Sequence, residues 1–450
     1  MAPSIKLAIL DDYANIAPAH FQRLISPQKQ QQQQPNNTSE SQSESQSQPP
    51  FDLQIRSFPE TLNARLPVEH DLLVARLYPY TVISSMRERT QFPRSVLSQL
   101  PNLKLLLTTG PKNAAIDVAA CKELGITVAG TGPKPNAVPG YDATNEQTWA
   151  LILGLVKGVV QGDKRLKTTR EGWQVDIKPP RKSHVDKDVD KDDAGLDTDT
   201  NTIDMDNDTE DPDLQPTTTT TTTISEDTFT FNEEEDDDQQ TKPDNRFNPA
   251  LVSSLAGKTL GLLGLGRLGT QAAVTGHLGF GMKILAWSSS LTQARADEAA
   301  SSRGLPAGVF EVAASKEDLF RRADVLSIHY VLGERSRGIV GKKELELMKP
   351  TAYLVNTSRG PLVQEPELLE VLEKGGIRGV GLDVFDTEPL PADSPWRREG
   401  FWGRQGRSRV LLSPHLGYAD EDTMHAWYEQ QVEVVRAWMA GEGVKGVVLT

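Results

Sequence analysis

Cysteine is almost absent from this 450-residue sequence, in which Cys121 is the single one. One cysteine excludes an intramolecular disulfide and a CxxC pair, and we predict no metal site. Long apolar runs are missing too, since none approaches the roughly 18 residues of a membrane span. The N-terminus is a short apolar segment closed by Asp11 and Asp12, without the basic start of a signal peptide. We therefore expect a soluble cytoplasmic protein with no membrane partner.

The net charge of −14 is concentrated in one segment. Residues 181–240 carry 21 Asp and Glu against 4 Lys and Arg, so the rest of the chain is close to neutral. It has no Lys/Arg cluster, and we predict no nucleic-acid partner. Residues 28–50, rich in Gln and Ser, and residues 178–248 are low in complexity. Both have too few apolar side chains for a core, so we expect disordered surface insertions.

The remaining sequence alternates between strand-like and helix-like segments in two blocks. The first block predicts a small parallel α/β unit, followed by a long apolar helix over 144–160. Its predicted strands are 6–10, 53–58, 82–86 and 103–108, and its predicted helices are 69–77 and 116–124.

The second block has a stronger alternation and predicts a doubly wound parallel sheet. Its predicted strands are 259–263, 283–287, 309–311, 324–329, 352–356, 379–384 and 410–412, with helices such as 342–348 and 366–374 between them. A final helix, over about 422–439, has no strand of this sheet after it. We expect that helix to pack back on the first block.

A glycine-rich loop with the pattern GxGxxG follows the apolar segment TLGLL and precedes a helix. Gly264 allows the tight turn, Gly266 lets a pyrophosphate approach the backbone, and Gly269 allows close packing of helix and strand. Arg267 and Leu268 complete the loop, whose helix N-terminus attracts an anion. Such a pattern is weak alone, but its position between a strand and a helix predicts a dinucleotide site.

The end of the next strand is where an acidic residue would bind the adenosine ribose 2′-hydroxyl. This sequence has Ser288, Ser289 and Ser290 there, and no carboxylate. Because no carboxylate would repel a 2′-phosphate, we predict that the protein accepts NADPH in addition to NADH. Arg295 would either pair with the phosphate or face water.

Three charged residues follow predicted strands of the second block: Arg359, Glu388 and His415. Reduction of a 2-oxo acid needs a proton donor for the carbonyl oxygen and a cation for the carboxylate. His415 fits the first role, Glu388 would stabilise its protonated form, and Arg359 fits the second. Taken singly they could be a structural histidine, a turn residue and a surface arginine. Their shared position favours an active site, because parallel sheets bind ligands at that edge.

Asp383 lies in the same segment as Glu388. It could hold the nicotinamide carboxamide, or it could be a capping or turn carboxylate, and the sequence leaves both interpretations open.

Several segments together resemble the D-isomer-specific 2-hydroxyacid dehydrogenase family. The similar segments are KTLGLLGLGRLG, LSIHYVLGERSRGIVGKKELELMKPTAYLVNTSRGPLV, GLDVFDTEPLP and LLSPHLGY, and in the first block MRERT and TTGPKNAAIDVAACKELGITV. The resemblance covers most of the chain outside the two insertions. It implies two Rossmann-like α/β domains: a substrate-binding domain over 1–143 and a larger dinucleotide-binding domain over 144–416, with residues 417–450 returning to the first.

The resemblance also implies roles for individual residues and an assembly. Arg359 would bind substrate, His415 would be the acid/base and Glu388 would support it. The residues lining NAD or NADP would be Gly264, Gly266, Gly269, His329, Thr357 and Asp383. From the smaller domain, the backbone near Gly110 and the side chain of Arg87 or Arg89 would face substrate. The implied assembly is a homodimer formed through the dinucleotide domain.

Three positions depart from the family pattern: Ser288, Val331 in place of a common Pro, and Pro111–Lys112 beside Gly110. The expected activity is hydride transfer between NAD(P)H and a small 2-oxo acid such as glyoxylate or hydroxypyruvate. The alternative is a non-catalytic, NAD(H)-sensing binding protein of the corepressor type on the same fold.

Overall fold

The computed structural model describes residues 4–25, 52–134, 138, 142–168, 252–444 and 447–449. The predicted insertions 28–50 and 178–248 lie outside these ranges. Two lobes, each built on its own sheet, belong to one compact unit. Among the described residues, no helix combines the length and the apolar character needed to cross a membrane.

The first lobe begins with five parallel strands whose apolar side chains are mostly buried, as expected for a sheet covered on both faces. The strands are β1 (Ser4–Leu10), β2 (Asp52–Phe58), β3 (Val82–Ser85), β4 (Leu105–Thr108) and β5 (Thr127–Gly130). The helices are α1 (Ala17–Phe21), α2 (Pro67–Leu77), α3 (Arg94–Leu97) and α4 (Val118–Glu123).

Two helices lead into the second lobe: α5 (Ala143–Lys157) and α6 (Val159–Thr168). The sequence predicted one helix over 144–160, which is wrong at its end. Gly158 has a φ of 62° and terminates α5 in the left-handed conformation that glycine adopts without steric cost.

The second lobe contains seven strands that are parallel throughout. They are β6 (Thr259–Leu263), β7 (Lys283–Trp287), β8 (Phe310–Val312), β9 (Val325–Ile328), β10 (Tyr353–Asn356), β11 (Gly379–Leu382) and β12 (Arg409–Leu412). The helices between them are α7 (Arg267–Val274), α8 (Gln293–Ser301), α9 (Lys316–Arg322), α10 (Lys342–Glu346) and α11 (Glu365–Glu373).

The strand order of this sheet is β12-β11-β10-β9-β6-β7-β8, which confirms the predicted doubly wound fold. The order reverses between β6 and β9, the switch point where such sheets bind dinucleotides. All seven carboxyl ends lie at one edge, so the loops that follow adjacent strands, such as β6 and β9 or β11 and β12, are neighbours.

The chain returns to the first lobe through α12 (Glu421–Met439) and ends in β13 (Val447–Val448). Met424, Trp427 and Tyr428 of α12 are buried against β-strand residues of the first lobe such as Leu7. The short β13 pairs antiparallel with β5, giving the order β13-β5-β4-β3-β1-β2. The sequence analysis did not predict β5 or β13.

Candidate active site

The glycine-rich loop after β6 lies at the switch point, beside the end of β9. Gly264 has a φ of 101°, and a Cβ atom there would lie 2.6 Å from the carbonyl oxygen of His329. A Cβ atom on Gly269 would lie 2.2 Å from the carbonyl oxygen of Gly264. Both positions therefore require glycine, one for its conformation and both for close packing.

Gly266 differs from these two glycines because nothing lies within 4 Å of the position of a Cβ atom. It precedes α7, and no side chain forms a capping hydrogen bond with the first N–H groups of that helix. A cradle of this kind fits the pyrophosphate of a dinucleotide. Arg267 lies at the first position of α7 and forms an ion pair with Asp142, the N-cap residue of α5, while Leu268 is half-buried.

Two further predicted cofactor residues lie at the ends of β9 and β10. The Nε2 atom of His329 lies 2.9 Å from the Ser327 hydroxyl, while its Nδ1 is shielded from solvent and has no hydrogen-bond partner. Burial of the ring lowers the pKa of His329 to about 4, so the imidazole is neutral at physiological pH. Thr357 is buried, with its hydroxyl 2.7 Å from that of Thr148.

Ser288 is half-buried immediately after β7, and Ser289 and Ser290 are exposed. The exposed Arg295 turns back toward these serines, and its guanidinium donates a hydrogen bond of 3.4 Å to the carbonyl of Ser290. The Arg295 guanidinium therefore lies beside the loop where the adenosine 2′ group is expected. No carboxylate stands at this end of β7.

Ser288→Asp is expected to lower kcat/KM for NADPH by about tenfold or more while changing that for NADH far less, because a carboxylate repels a 2′-phosphate and accepts a hydrogen bond from a 2′-hydroxyl. Steady-state kinetics with both cofactors measure the effect, and Ser98→Asp, at an exposed serine of the first lobe, is the matched control. An equal loss with both cofactors, or a wild-type protein that rejects NADPH, would contradict this account of the pocket.

His415 and Glu388 meet at the carboxyl ends of the neighbouring strands β12 and β11. The distance from His415 Nδ1 to Glu388 Oε2 is 2.6 Å, and the other carboxylate oxygen accepts a 2.9 Å hydrogen bond from the N–H of Phe385. Burial alone would raise the pKa of the Glu388 carboxyl. The hydrogen bond and charge of His415, the N–H of Phe385 and the charge of Arg359 outweigh this effect, so the pKa of Glu388 is lowered. Glu388 is therefore ionised at neutral pH.

Asp383, which is completely buried, holds the loop that carries His415. Its carboxylate accepts hydrogen bonds from the Ser413 hydroxyl at 2.6 Å and from the N–H groups of Leu416 and Gly417 at 2.8 and 2.9 Å. Asp383 therefore acts as a turn carboxylate, which is one of the two roles that the sequence left open. Its contact with a nicotinamide carboxamide stays a prediction. Burial raises the pKa of Asp383 despite these bonds.

His415 itself has a φ of 55°, which is uncommon for a residue with a side chain. Arg87, in the loop after β3, is also left-handed, with a φ of 51°. Both residues line the same cleft. Strained backbone of this kind persists where the surroundings hold it, and it concentrates at functional sites.

Arg359 follows β10 at the edge of the cleft. Its Nη1 donates a 2.7 Å hydrogen bond to the carbonyl of Ser358, and its Nη2 lies 3.4 Å from Glu88 Oε1. Glu88 belongs to the first lobe, so this ion pair joins the two lobes beside His415 and Glu388.

Arg87 and Arg89 are the other predicted substrate contacts. The guanidinium of Arg87 lies 5.5 Å from the ring centre of Tyr418, and the Nε of Arg89 donates a 3.2 Å hydrogen bond to the Tyr418 hydroxyl. Gly110, with a φ of 86°, lies behind Arg87: a Cβ atom on Gly110 would be 2.3 Å from Arg87 Nη1. Gly110 packs against Arg87 and is not one of the residues that line the cleft.

The cleft has a volume of about 320 Å³. It brings together the predicted residues Arg87, Arg89, Glu388 and His415, with Arg359 at its edge through Glu88. The lining residues that the sequence analysis did not single out include Glu88, Arg397 and Tyr418, which carry charged or polar groups. Glu88 and Tyr418 stand inside motifs that were recognised, MRERT and LLSPHLGY, so their position there was the available signal; Arg397 had none.

Fold and site together define a two-lobed α/β protein with a dinucleotide loop and a paired histidine and glutamate. The sequence profile described as D-isomer specific 2-hydroxyacid dehydrogenase, NAD binding domain, matches residues 230–417. Glyoxylate reductase of Aeropyrum pernix is 30% identical over 386 residues, covering 81% of this chain and 85% of the relative. The chain belongs to the D-isomer-specific 2-hydroxyacid dehydrogenase family.

Other relatives match a smaller part of the chain or have a lower sequence identity. Glyoxylate/hydroxypyruvate reductase B of Enterobacter sp. (strain 638) is 37% identical over 169 residues, 38% of this chain, which here spans about half (47%) of that relative. The crystal structure of phosphoglycerate oxidoreductase from Vibrio cholerae o395 has a TM-score of 0.63 at 26% identity, covering 97% of this chain and 99% of that one.

Proposed function

We propose that the protein is an NAD(P)-dependent oxidoreductase that reduces a small 2-oxo acid, such as glyoxylate or hydroxypyruvate, to the D-2-hydroxy acid. In this proposal the first lobe (1–143) binds substrate, the second (144–416) binds the dinucleotide, and residues 417–450 return to the first. We also propose a homodimer formed through the second lobe, as the family resemblance implies.

The 2.6 Å contact between His415 Nδ1 and Glu388 carries this proposal. A carboxylate on one ring nitrogen fixes the tautomer and favours the protonated ring, which leaves Nε2 as the acid. The arrangement lies at the sheet edge that also holds the glycine-rich loop, so a proton donor and a nicotinamide ring can approach one carbonyl group. No other side chain of the cleft combines these properties among the described residues.

The residues act on the substrate in a simple order. Arg359 moves away from Glu88 and holds the substrate carboxylate with charge-assisted hydrogen bonds. The imidazolium of His415 donates its Nε2 proton to the carbonyl oxygen as that oxygen gains negative charge. A nicotinamide cofactor held at the glycine-rich loop would supply the hydride for C2 of the substrate. His415 is left neutral after this transfer, and its Nε2 then takes up a new proton from solvent while the Glu388 carboxylate stays at Nδ1.

The names of the relatives support two substrate classes. Glyoxylate reductase of Aeropyrum pernix is a relative with a broad match, and phosphoglycerate oxidoreductase from Vibrio cholerae is one of the similar solved structures. Turnover of NADH or NADPH with a panel of 2-oxo acids tests the proposal. Sustained turnover supports an enzyme, and its absence with every acid would favour the non-catalytic NAD(H)-sensing alternative.

Glu388→Gln is expected to move the pH profile of reduction to lower pH. The lowered pKa of Glu388 means that its carboxylate is charged throughout the neutral range, where it stabilises the imidazolium that donates the proton. Without that charge the imidazolium has no anionic partner, so we expect the rate of reduction to fall earlier as the pH rises. The dependence of kcat/KM on pH measures the shift. Glu298→Gln, at an exposed position of α8, should leave the profile unchanged, and an unchanged profile in Glu388→Gln would separate Glu388 from His415.

A further inference from the structure

Glu88 is a carboxylate in the cleft at a place where the proposed substrate brings its own. Its Oε1 lies 3.4 Å from Arg359 Nη2, and its Oε2 lies 3.6 Å from Arg87 Nε. The Oε2 atom is buried and accepts no hydrogen bond. The negative charge of Glu88 therefore stands beside the arginine that would hold the substrate carboxylate.

The loop that carries Glu88 is held firmly in place. Thr109 accepts a 3.0 Å hydrogen bond from the N–H of Arg87, and the Thr90 hydroxyl donates a 2.7 Å bond to the buried Asp11. The Asn113 side chain donates to the carbonyl of Arg87 at 2.5 Å. These bonds fix the backbone on both sides of Glu88, so the residue stays beside the cleft when a ligand enters.

The other arginines that line the cleft already contact rings, a hydroxyl group or carbonyl oxygens of the protein. Arg87 stacks on the rings of Tyr418 and Trp427, with its guanidinium carbon 5.5 and 5.7 Å from their centres. Arg89 bonds to the Tyr418 hydroxyl and lies 4.6 Å from the ring centre of Tyr13.

Arg397 donates hydrogen bonds of 2.8 and 2.9 Å to the carbonyls of Pro391 and Leu390. A second anionic group on a substrate would therefore meet the carboxylates of Glu88 and Glu388, and it would have to draw these guanidinium groups away from the rings and carbonyl oxygens that they contact.

We infer that Glu88 is a specificity-determining residue that restricts the cleft to 2-oxo acids with one negative charge. The inference rests on the proposed function. Acids with a second carboxylate or a phosphate group would be excluded, whereas acids with a neutral side chain would be accepted.

The size of the effect follows from the repulsion between two like charges. Two unit charges about 6 Å apart at a partly solvated protein surface repel strongly enough to change an equilibrium by about 10- to 100-fold. Glu88 is about one-quarter exposed (27%), so solvent screens the interaction only partly.

Oxaloacetate and its amide, 2-oxosuccinamate, form a matched pair that differs in charge and hardly in shape. We expect the wild-type protein to favour the amide by about tenfold or more in kcat/KM. In Glu88→Gln this preference should fall by about tenfold, whereas in Glu88→Asp, which keeps the charge, it should persist. Glu123→Gln, at an exposed ion pair of the same lobe, is the control and should keep the wild-type preference.

Glyoxylate, which has no side chain, separates the two proposals. A wild-type protein that reduces glyoxylate but uses the diacid and the amide equally would overturn the role of Glu88, even if no variant folds. An unchanged preference in Glu88→Gln would overturn it too. Failure to reduce glyoxylate and every other 2-oxo acid would overturn the proposed function itself.

Discussion

Replacing His415 with Ala is expected to lower kcat by about 10² to 10⁴, the usual contribution of a positioned general acid. His415 is the ring that Glu388 orients, and no second histidine lines the cleft among the described residues. Binding of NADH should change little, because the glycine-rich loop lies on other strands. Stopped-flow or steady-state rates with the best 2-oxo acid, together with NADH binding by fluorescence, measure both quantities.

The backbone at His415 calls for a second variant. Its φ of 55° is strained for Ala, whereas Asn adopts this conformation more readily. His415→Asn should therefore lose kcat to the same extent while keeping thermal stability near the wild-type value. His70→Ala, at a histidine on α2 that pairs with Asp71, is the control. Near-normal turnover in either His415 variant would refute the proposed acid.

Replacing Arg359 with Gln is expected to lower kcat/KM by about 10² to 10⁴. Two hydrogen bonds to a charged group contribute roughly 1.5–3 kcal/mol each, and the amide side chain of Gln cannot replace them. Arg359→Lys keeps the charge and loses the two-pronged geometry, so a smaller loss of about 10- to 100-fold is expected.

The two Arg359 variants together separate charge from geometry. Arg94→Gln, at an exposed ion pair of the first lobe, should leave kcat/KM unchanged. If Arg359→Gln reduced 2-oxo acids as well as the wild-type protein does, another cation would have to hold the substrate carboxylate.

The parallel sheet of the second lobe could be predicted because its strands are apolar on both faces and are separated by helices. Edge elements were harder to predict. The two-residue β13 has no pattern of its own and is defined only by its pairing with β5. The end of α5 at Gly158 was missed because the apolar residues continue into α6.

The site could be predicted in part, for a similar reason. Glu388 and His415 follow adjacent strands of one sheet, so their sequence positions alone indicated that they lie close together. The contact between Arg359 and Glu88 joins two lobes that are far apart in sequence, and no periodicity or local motif encodes it. The conformation of a loop such as 87–89 also depends on long-range hydrogen bonds, among them the one from Thr90 to Asp11.

Direct transfer of hydride from the cofactor to C2 of the substrate is the central claim, and an isotope experiment tests it. NADH or NADPH deuterated at C4 of the nicotinamide ring would be incubated with hydroxypyruvate, and the product analysed by mass spectrometry and chiral chromatography. The account predicts D-glycerate with deuterium at C2 when the transferred position carries the label. Absence of a reduced product, deuterium lost to water, or formation of the L-enantiomer would contradict it.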